Sequence, residues 1–259
     1  MKASRKAKTP PPPIRHRVLV VAGRIMLVVA TAALLAATLI VWRLLAASQV
    51  GLLAKTEVTA TENEVVASAS SDLPTPPADL PPDAPRVGIV AGHAGYDIGA
   101  VCPDGLSEAE VNLAVAREVA IVLARRGYRI DLLEEYDERL AGYQADALIS
   151  IHADSCDVPG ASGFKVARVT DSAIPEAEDR LVGCIYREYE AVTGLPRHPS
   201  SITDDMTSYH AFREIDHYTP GAIIETGFLL DNRELLTNQP KQVARGIASG
   251  VVCFLEGEE

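Results

Sequence analysis

Three polar side chains stand where runs of apolar residues stop. His93 follows RVGIVAG, His152 closes DALISIH, and Glu225 ends GAIIE. Each, taken singly, reads as a hydrogen-bonded core residue or a solvated strand end. In open α/β sheets, however, sites gather at the carboxyl ends of the strands. Three such ends on one sheet would bring these groups into a single crevice. A fourth group comes from SEAE (107–110), which fits a capping box: Ser107 at the N-cap and Glu110 three residues on, reaching back to its amide. That leaves Glu108 without a capping role. It is readable as an acid favoured by the helix dipole or, beside two histidines, as a ligand. Two imidazoles and one carboxylate form a catalytic zinc set with a position left open for water. The separations from His93 to Glu108 to His152 are long, so no compact motif such as HExxH is present and the residue types alone leave the metal open.

The elements that must position these groups alternate. RVGIVA (86–91), YRIDLL (128–133), DALISIHA (146–153), GFKVARV (163–169) and GAIIET (221–226) read as strands. Segments 105–127, 177–192 and 240–256 read as helices; the first has apolar residues at Val111, Ala114, Val115, Val119, Val122 and Leu123, close to a 3.6-residue period. This order predicts an α/β fold: one three-layer domain with a mostly parallel, twisted sheet covered by helices on both faces. It carries no internal repeat.

Charge divides the chain. Eight of the 24 basic residues and none of the 35 acidic ones fall in residues 1–50, so the remainder carries 16 bases against 35 acids, a net −19. An acidic body argues against nucleic acid as a partner. The basic head flanks IMLVVATAALLAATLIVW (25–42), extended through 18–23, which is long enough to cross a bilayer as a helix. It exceeds the usual 7–15 apolar residues of a cleavable signal peptide, so a retained anchor is the expectation. The predicted organisation is a basic cytoplasmic tail (1–17), a transmembrane anchor (18–47), a Pro-rich acidic linker (48–85) expected to be disordered, and a catalytic domain (86–259). Six Lys/Arg before the span place the N-terminus in the cytoplasm and the domain outside the cell membrane.

GHAGYDIGA (92–100), GLSEAEVNLA (105–114), ALISIHAD (147–154) and AIIETGFLLDNRELL (222–236) together resemble the four motif blocks of zinc-dependent N-acetylmuramoyl-L-alanine amidases. The resemblance spans essentially all of 86–255, and the combination is more specific than any block alone. It implies one Zn²⁺ bound by His93, Glu108 and His152, with Glu225 as catalytic acid/base. The implied reaction is hydrolysis of the amide between the lactyl group of N-acetylmuramic acid and L-alanine in peptidoglycan. The E-x-x-x-N-L register falls on Glu108 and Asn112, in agreement with the capping reading. Two departures stand out. The family usually carries Thr-Arg after its second strand and Ala-Asn before the S-I-H strand; here these regions read LLEEYDERL and YQADAL. Neither touches the four key residues, so the expected consequence is for substrate preference.

Cys102 lies nine residues beyond His93 and Cys156 four beyond His152, so both loops border the same crevice and a Cys102–Cys156 disulfide is predicted. Cys184 and Cys253 sit in amphipathic helices and read as small core residues. His198 and His217, in Pro- and Asp-rich loops, read as surface residues. His210 is a candidate for lining the pocket or binding substrate, and Arg213 for pairing with a peptidoglycan carboxylate, a surface salt bridge being the plainer alternative. Two other functions share these features: a zinc peptidase of carboxypeptidase type, and a catalytically inactive peptidoglycan-binding module. The inactive module would be expected to have lost a ligand or Glu225.

Overall fold

The structure, a computed structural model, describes residues 80, 81 and 83–257. The expected tail (1–17), the anchor (18–47) and nearly all of the linker lie outside the described residues. Among the described residues no helix is long and apolar enough to cross a membrane. The folded part starts slightly before the predicted boundary at Arg86. Ala84 is buried, the Arg129 amide donates to Pro85 O (2.9 Å), and Arg129 Nε donates to Ala84 O (2.8 Å).

Five strands form one sheet: β1 (Arg86–Ala91), β2 (Arg129–Leu133), β3 (Ala147–Asp154), β4 (Lys165–Ala167) and β5 (Gly221–Phe228). Their order is β2-β1-β3-β5-β4, parallel except for β4, which closes the edge antiparallel to β5. The mostly parallel sheet is thus as predicted, with β4 shorter than 163–169 and reversed in direction.

The two faces are covered unequally. On one, α1 (Glu108–Arg125), α2 (Pro175–Thr193) and α6 (Pro240–Glu256) bury Val87, Ile89, Ile149, Ile151 and Ile224. Opposite, Val90, Leu148 and Ile223 pack under the chain around Leu140 and Tyr143 and under the short helices α3 (Asp204–Thr207) and α4 (His210–Glu214). α5 (Arg233–Asn238) precedes α6. Side chains alternate between faces along a strand, so His152 follows Leu148 and Ser150 onto the thin face, and Glu225 follows Ile223. There the cover is a set of loops and short helices rather than long helices, which leaves room for a cleft.

Two disulfides bind the described residues. Cys102–Cys156 is as predicted, with Cα atoms 5.4 Å apart. The core reading of Cys184 and Cys253 is corrected: they form a second bridge, Cα to Cα 5.8 Å, between α2 and α6. Periodicity puts each cysteine on its helix's apolar face; only the packing of α2 on α6 makes those faces each other's partners.

Candidate metal site

The first turn of α1 has the expected construction. Ser107 Oγ accepts from the Glu110 amide (3.4 Å) and Glu110 Oε2 from the Ser107 amide (3.3 Å), so both halves of the capping box are present. Freed of that task, Glu108 points inward and is buried. Its Oε1 lies 3.2 Å from both His93 Nε2 and His152 Nδ1. The three ligand atoms lie within 4.8 Å of one another, a geometry that can hold a metal ion. Asn112 Nδ2, one turn on, donates to Glu108 Oε1 (3.2 Å) and to Gly92 O (3.1 Å), tying the helix to the end of β1.

Two glycines make the approach possible. A Cβ on Gly92 would run into the His152 ring, and one on Gly99, itself at φ 61°, would meet Glu108 Oε2 and the His93 ring. His93 is the one non-glycine at positive φ (66°) among the described residues. That left-handed conformation costs about 1–2 kcal/mol for an L-residue and must be held by its surroundings. Here the His93 amide donates to Glu135 Oε2 (2.8 Å).

The ring nitrogens facing away from the cluster also have carboxylates beside them. Asp97 Oδ1 lies 2.5 Å from His93 Nδ1, and Glu135 Oε2 lies 3.6 Å from His152 Nε2. Carboxylates in this position fix the orientation of ligating imidazoles and raise their basicity. The donor set, its spacing and these supports all fit a divalent metal.

Electrostatics follow the same arrangement. Burial would raise the Glu108 carboxyl, but hydrogen bonds from His152 and His93 outweigh it and hold the group well below the usual carboxylate range. Glu108, with Asp97 adding to the effect, pushes His93 up to about 9. Glu225, paired in register with His152 on the neighbouring strand, keeps an Oε2 that is shut off from solvent and without a hydrogen-bond partner. Burial pushes this carboxyl up to about 7, opposed by His152 and assisted by Glu108. A carboxyl near neutrality is suited to taking and giving a proton.

The structure brings five sequence candidates together: His93, Glu108, His152, Glu225 and His210. His210 Nε2 lies 2.9 Å from Glu135 Oε1, which places it at the rim. Arg213 is not among them: it is exposed on the wall of a separate cavity of about 360 Å³ with Thr170, Asp171 and Glu178, toward the other end of β5. Of the two histidines read as surface residues, His217 is exposed, whereas His198 is half-buried edge-on against Phe228.

Four residues near the site were missed: Asp97, beside His93, and three others. Glu135, buried, accepts from Tyr209 Oη (2.9 Å) as well as from the His93 amide. Hydrogen bonding from His210 and the charge of His152 hold its carboxyl below the usual range although burial opposes them. Tyr209 lies beneath, accepting from Ser150 Oγ (3.0 Å). Lys165 sits opposite Glu225 on β4, buried, with Nζ 2.5 Å from Asp154 Oδ2. The signal for Glu135 was in plain sight: LLEE replaces the Thr-Arg usual after the second strand. That departure reaches the histidine cluster rather than substrate preference alone.

A five-stranded, mostly parallel sheet with two imidazoles and a carboxylate converging at its strand ends defines an α/β protein with a candidate metal site. The family model for N-acetylmuramoyl-L-alanine amidase matches residues 87–253, and the chain belongs to that family. Among relatives, it is 26% identical over 219 residues to N-acetylmuramoyl-L-alanine amidase AmiC of Neisseria meningitidis, covering 66% of this chain and 53% of that protein. It is 39% identical over 169 residues to the uncharacterized protein YqiI of Bacillus subtilis, covering 60% and 75%. The chain thus spans about half the length of the meningococcal relative. In fold it is similar to AmiC2 of Nostoc punctiforme (TM-score 0.53, 24% identity, 66% of this chain and 97% of that one). It is similar also to the CwlD amidase of Clostridioides difficile (TM-score 0.52, 22% identity, 66% and 98%).

Proposed function

We propose that this chain hydrolyses the amide between the lactyl group of N-acetylmuramic acid and L-alanine of peptidoglycan stem peptides, using one Zn²⁺ held by His93, Glu108 and His152. The observation that carries the reading is the convergence of those three ligand atoms within 4.8 Å beside the unpartnered Glu225 oxygen, in a chain of this family. Two nitrogens and one carboxylate oxygen are a donor set zinc favours. When bound there, zinc supplies Lewis-acid polarisation of the scissile carbonyl and makes water a competent nucleophile near neutral pH.

The chain's own groups do the rest. Glu225 Oε2 accepts a proton from the attacking water and delivers it to the alanine nitrogen as the carbon–nitrogen bond breaks, giving a lactyl carboxylate and a free amine. Asp97 and Glu135 orient the two imidazoles. Lys165, drawn toward Asp154, lines the edge of the cleft opposite Glu225 and limits how far that carboxyl rises.

Glu225→Gln is expected to keep one zinc per chain while turnover falls by about 10²–10⁴, measured as release of stem peptides with a free N-terminal alanine. Full activity would remove Glu225 from the chemistry, and loss of zinc would make it a ligand instead. The expected setting is the outer side of the cell membrane, with 18–47 as anchor and the N-terminus in the cytoplasm. The basic head and apolar span support this, as do two disulfides, which persist in oxidising compartments. Protease access to 86–259 from outside intact cells tests it.

A further inference from the structure

Of the seven large apolar side chains exposed among the described residues, four lie on the two loops that carry the site. Tyr96 (65% exposed), Ile98 and Val101 follow His93, and Tyr136 (51% exposed) follows Glu135. Scattered exposed apolar residues need no explanation, but a cluster beside a cleft marks a binding surface. These are not scattered. The Tyr96 and Tyr136 rings lie 4.4 Å apart between centroids, and Tyr136 stacks on His210 at 4.0 Å and 19°. His210 in turn lies against Glu135, which faces the His152 ring. The three rings therefore form one aromatic patch beside the histidine cluster, with Tyr136 between His210 and Tyr96 and the Tyr96 ring tilted at 58° to it.

The backbone that carries Tyr96 and Tyr136 is cross-braced. The Glu135 amide donates to Ala94 O (3.0 Å), locking the two loops together, and Gly95 (φ 76°) lies so close to Glu134 that a Cβ there would collide with its carboxylate. Binding at such a surface has little backbone left to order. Its border is acidic: Asp97, Glu134 and Glu214 carry exposed or half-exposed carboxylates. An anionic membrane surface would be repelled there. A pyranose ring is complementary, since its apolar C–H face covers an aromatic ring and its hydroxyls donate to neighbouring carboxylates.

We propose that Tyr96, backed by Tyr136, forms a glycan subsite, the outer face of its ring stacking against a neutral N-acetylated aminosugar of the strand whose peptide is being cut. This deepens, and rests on, the amidase reading above. The probe is a soluble β-1,4-linked N-acetylglucosamine tetramer, titrated into the metal-loaded protein and followed by tyrosine fluorescence and calorimetry. Saturable binding is expected, weakened about ten-fold for each ring removed in Tyr96→Ala and Tyr136→Ala. Tyr96→Phe and Tyr136→Phe should retain it, because the ring face does the stacking. The ratio of kcat/KM on polymeric glycan to kcat/KM on a single-sugar muramoyl peptide should fall with the same variants. Unchanged thermal unfolding of Tyr96→Ala excludes a folding defect, and that variant decides the question if Tyr136→Ala disturbs His210.

Failure of wild type to bind the tetramer, equal binding by the alanine variants, or binding of anionic phosphatidylglycerol vesicles in its place would overturn the subsite. Sugar binding without amide cleavage would leave the subsite standing and overturn the amidase reading. Cleavage with no ring dependence would do the reverse.

Discussion

His93 presents its imidazole from a left-handed backbone position (φ 66°), and Glu135 secures it there by accepting its amide hydrogen. The same carboxylate faces the His152 ring and receives Tyr209 Oη. Truncating it would leave a strained backbone and several buried polar groups unpaired at once. Glu135→Ala is accordingly expected to weaken zinc binding by about ten- to a hundred-fold, the usual effect of losing a carboxylate that orients a ligating imidazole. Competition with a chromophoric chelator measures it; unchanged affinity would reduce Glu135 to packing. Glu178 behaves differently. It is buried in α2 with one oxygen accepting from the Gly221 amide (3.3 Å) and the other unpartnered, and burial pushes its carboxyl above the usual range. A raised folded pKa on an acid penalises the native state once pH exceeds the unfolded value of about 4.5. Below that pH both states are protonated and the penalty vanishes. Glu178→Gln should therefore unfold at higher urea than wild type at pH 7, with the gap closing as pH falls toward 4; a pH-independent gap would refute the linkage.

Helices α2 and α6 lie against each other and carry the Cys184–Cys253 bridge, 69 residues apart in sequence. Closing a loop of that size restricts the unfolded chain, so Cys184→Ser with Cys253→Ser should lower stability by about 2–4 kcal/mol. The bridge lies on the thick-helix face and the histidine cluster on the thin face, so kcat should be kept; a matching loss of turnover would mean that the two faces are coupled. Cys102–Cys156 joins the loops after β1 and β3 instead. The capping box was readable in SEAE because a helix start is a local pattern of four residues. The bounds of α6, 240–256, coincide with those read from the sequence. β4 was less legible: its reversed direction depends on an edge position beside β5 that no short window of sequence encodes.

Metal binding should act on the folded domain as a whole. A ligand that binds the native state alone adds RT ln(1 + [L]/Kd), about 2.7 kcal/mol at a hundred-fold excess over Kd. Zinc titrated into chelator-treated protein should raise its unfolding temperature, and His152→Ala should abolish that rise; a metal-independent melting curve would argue against a site at this cluster. The amino-acid sequence by itself determined the alternation of strands and helices, the polar residues at strand ends, the helix cap that released Glu108, and the acidic body behind a basic, apolar head. These are local patterns of period, composition and charge, and they survive without coordinates. Only the tertiary structure decided that Glu135 meets the His93 amide and the His152 ring, that Arg213 belongs to another cavity, that Cys184 meets Cys253, and that Tyr96, Tyr136 and His210 form one aromatic patch. Each of those pairs residues far apart in the chain, and which distant groups meet is set by the order and direction of strands and by which helix faces touch, quantities that no local pattern carries.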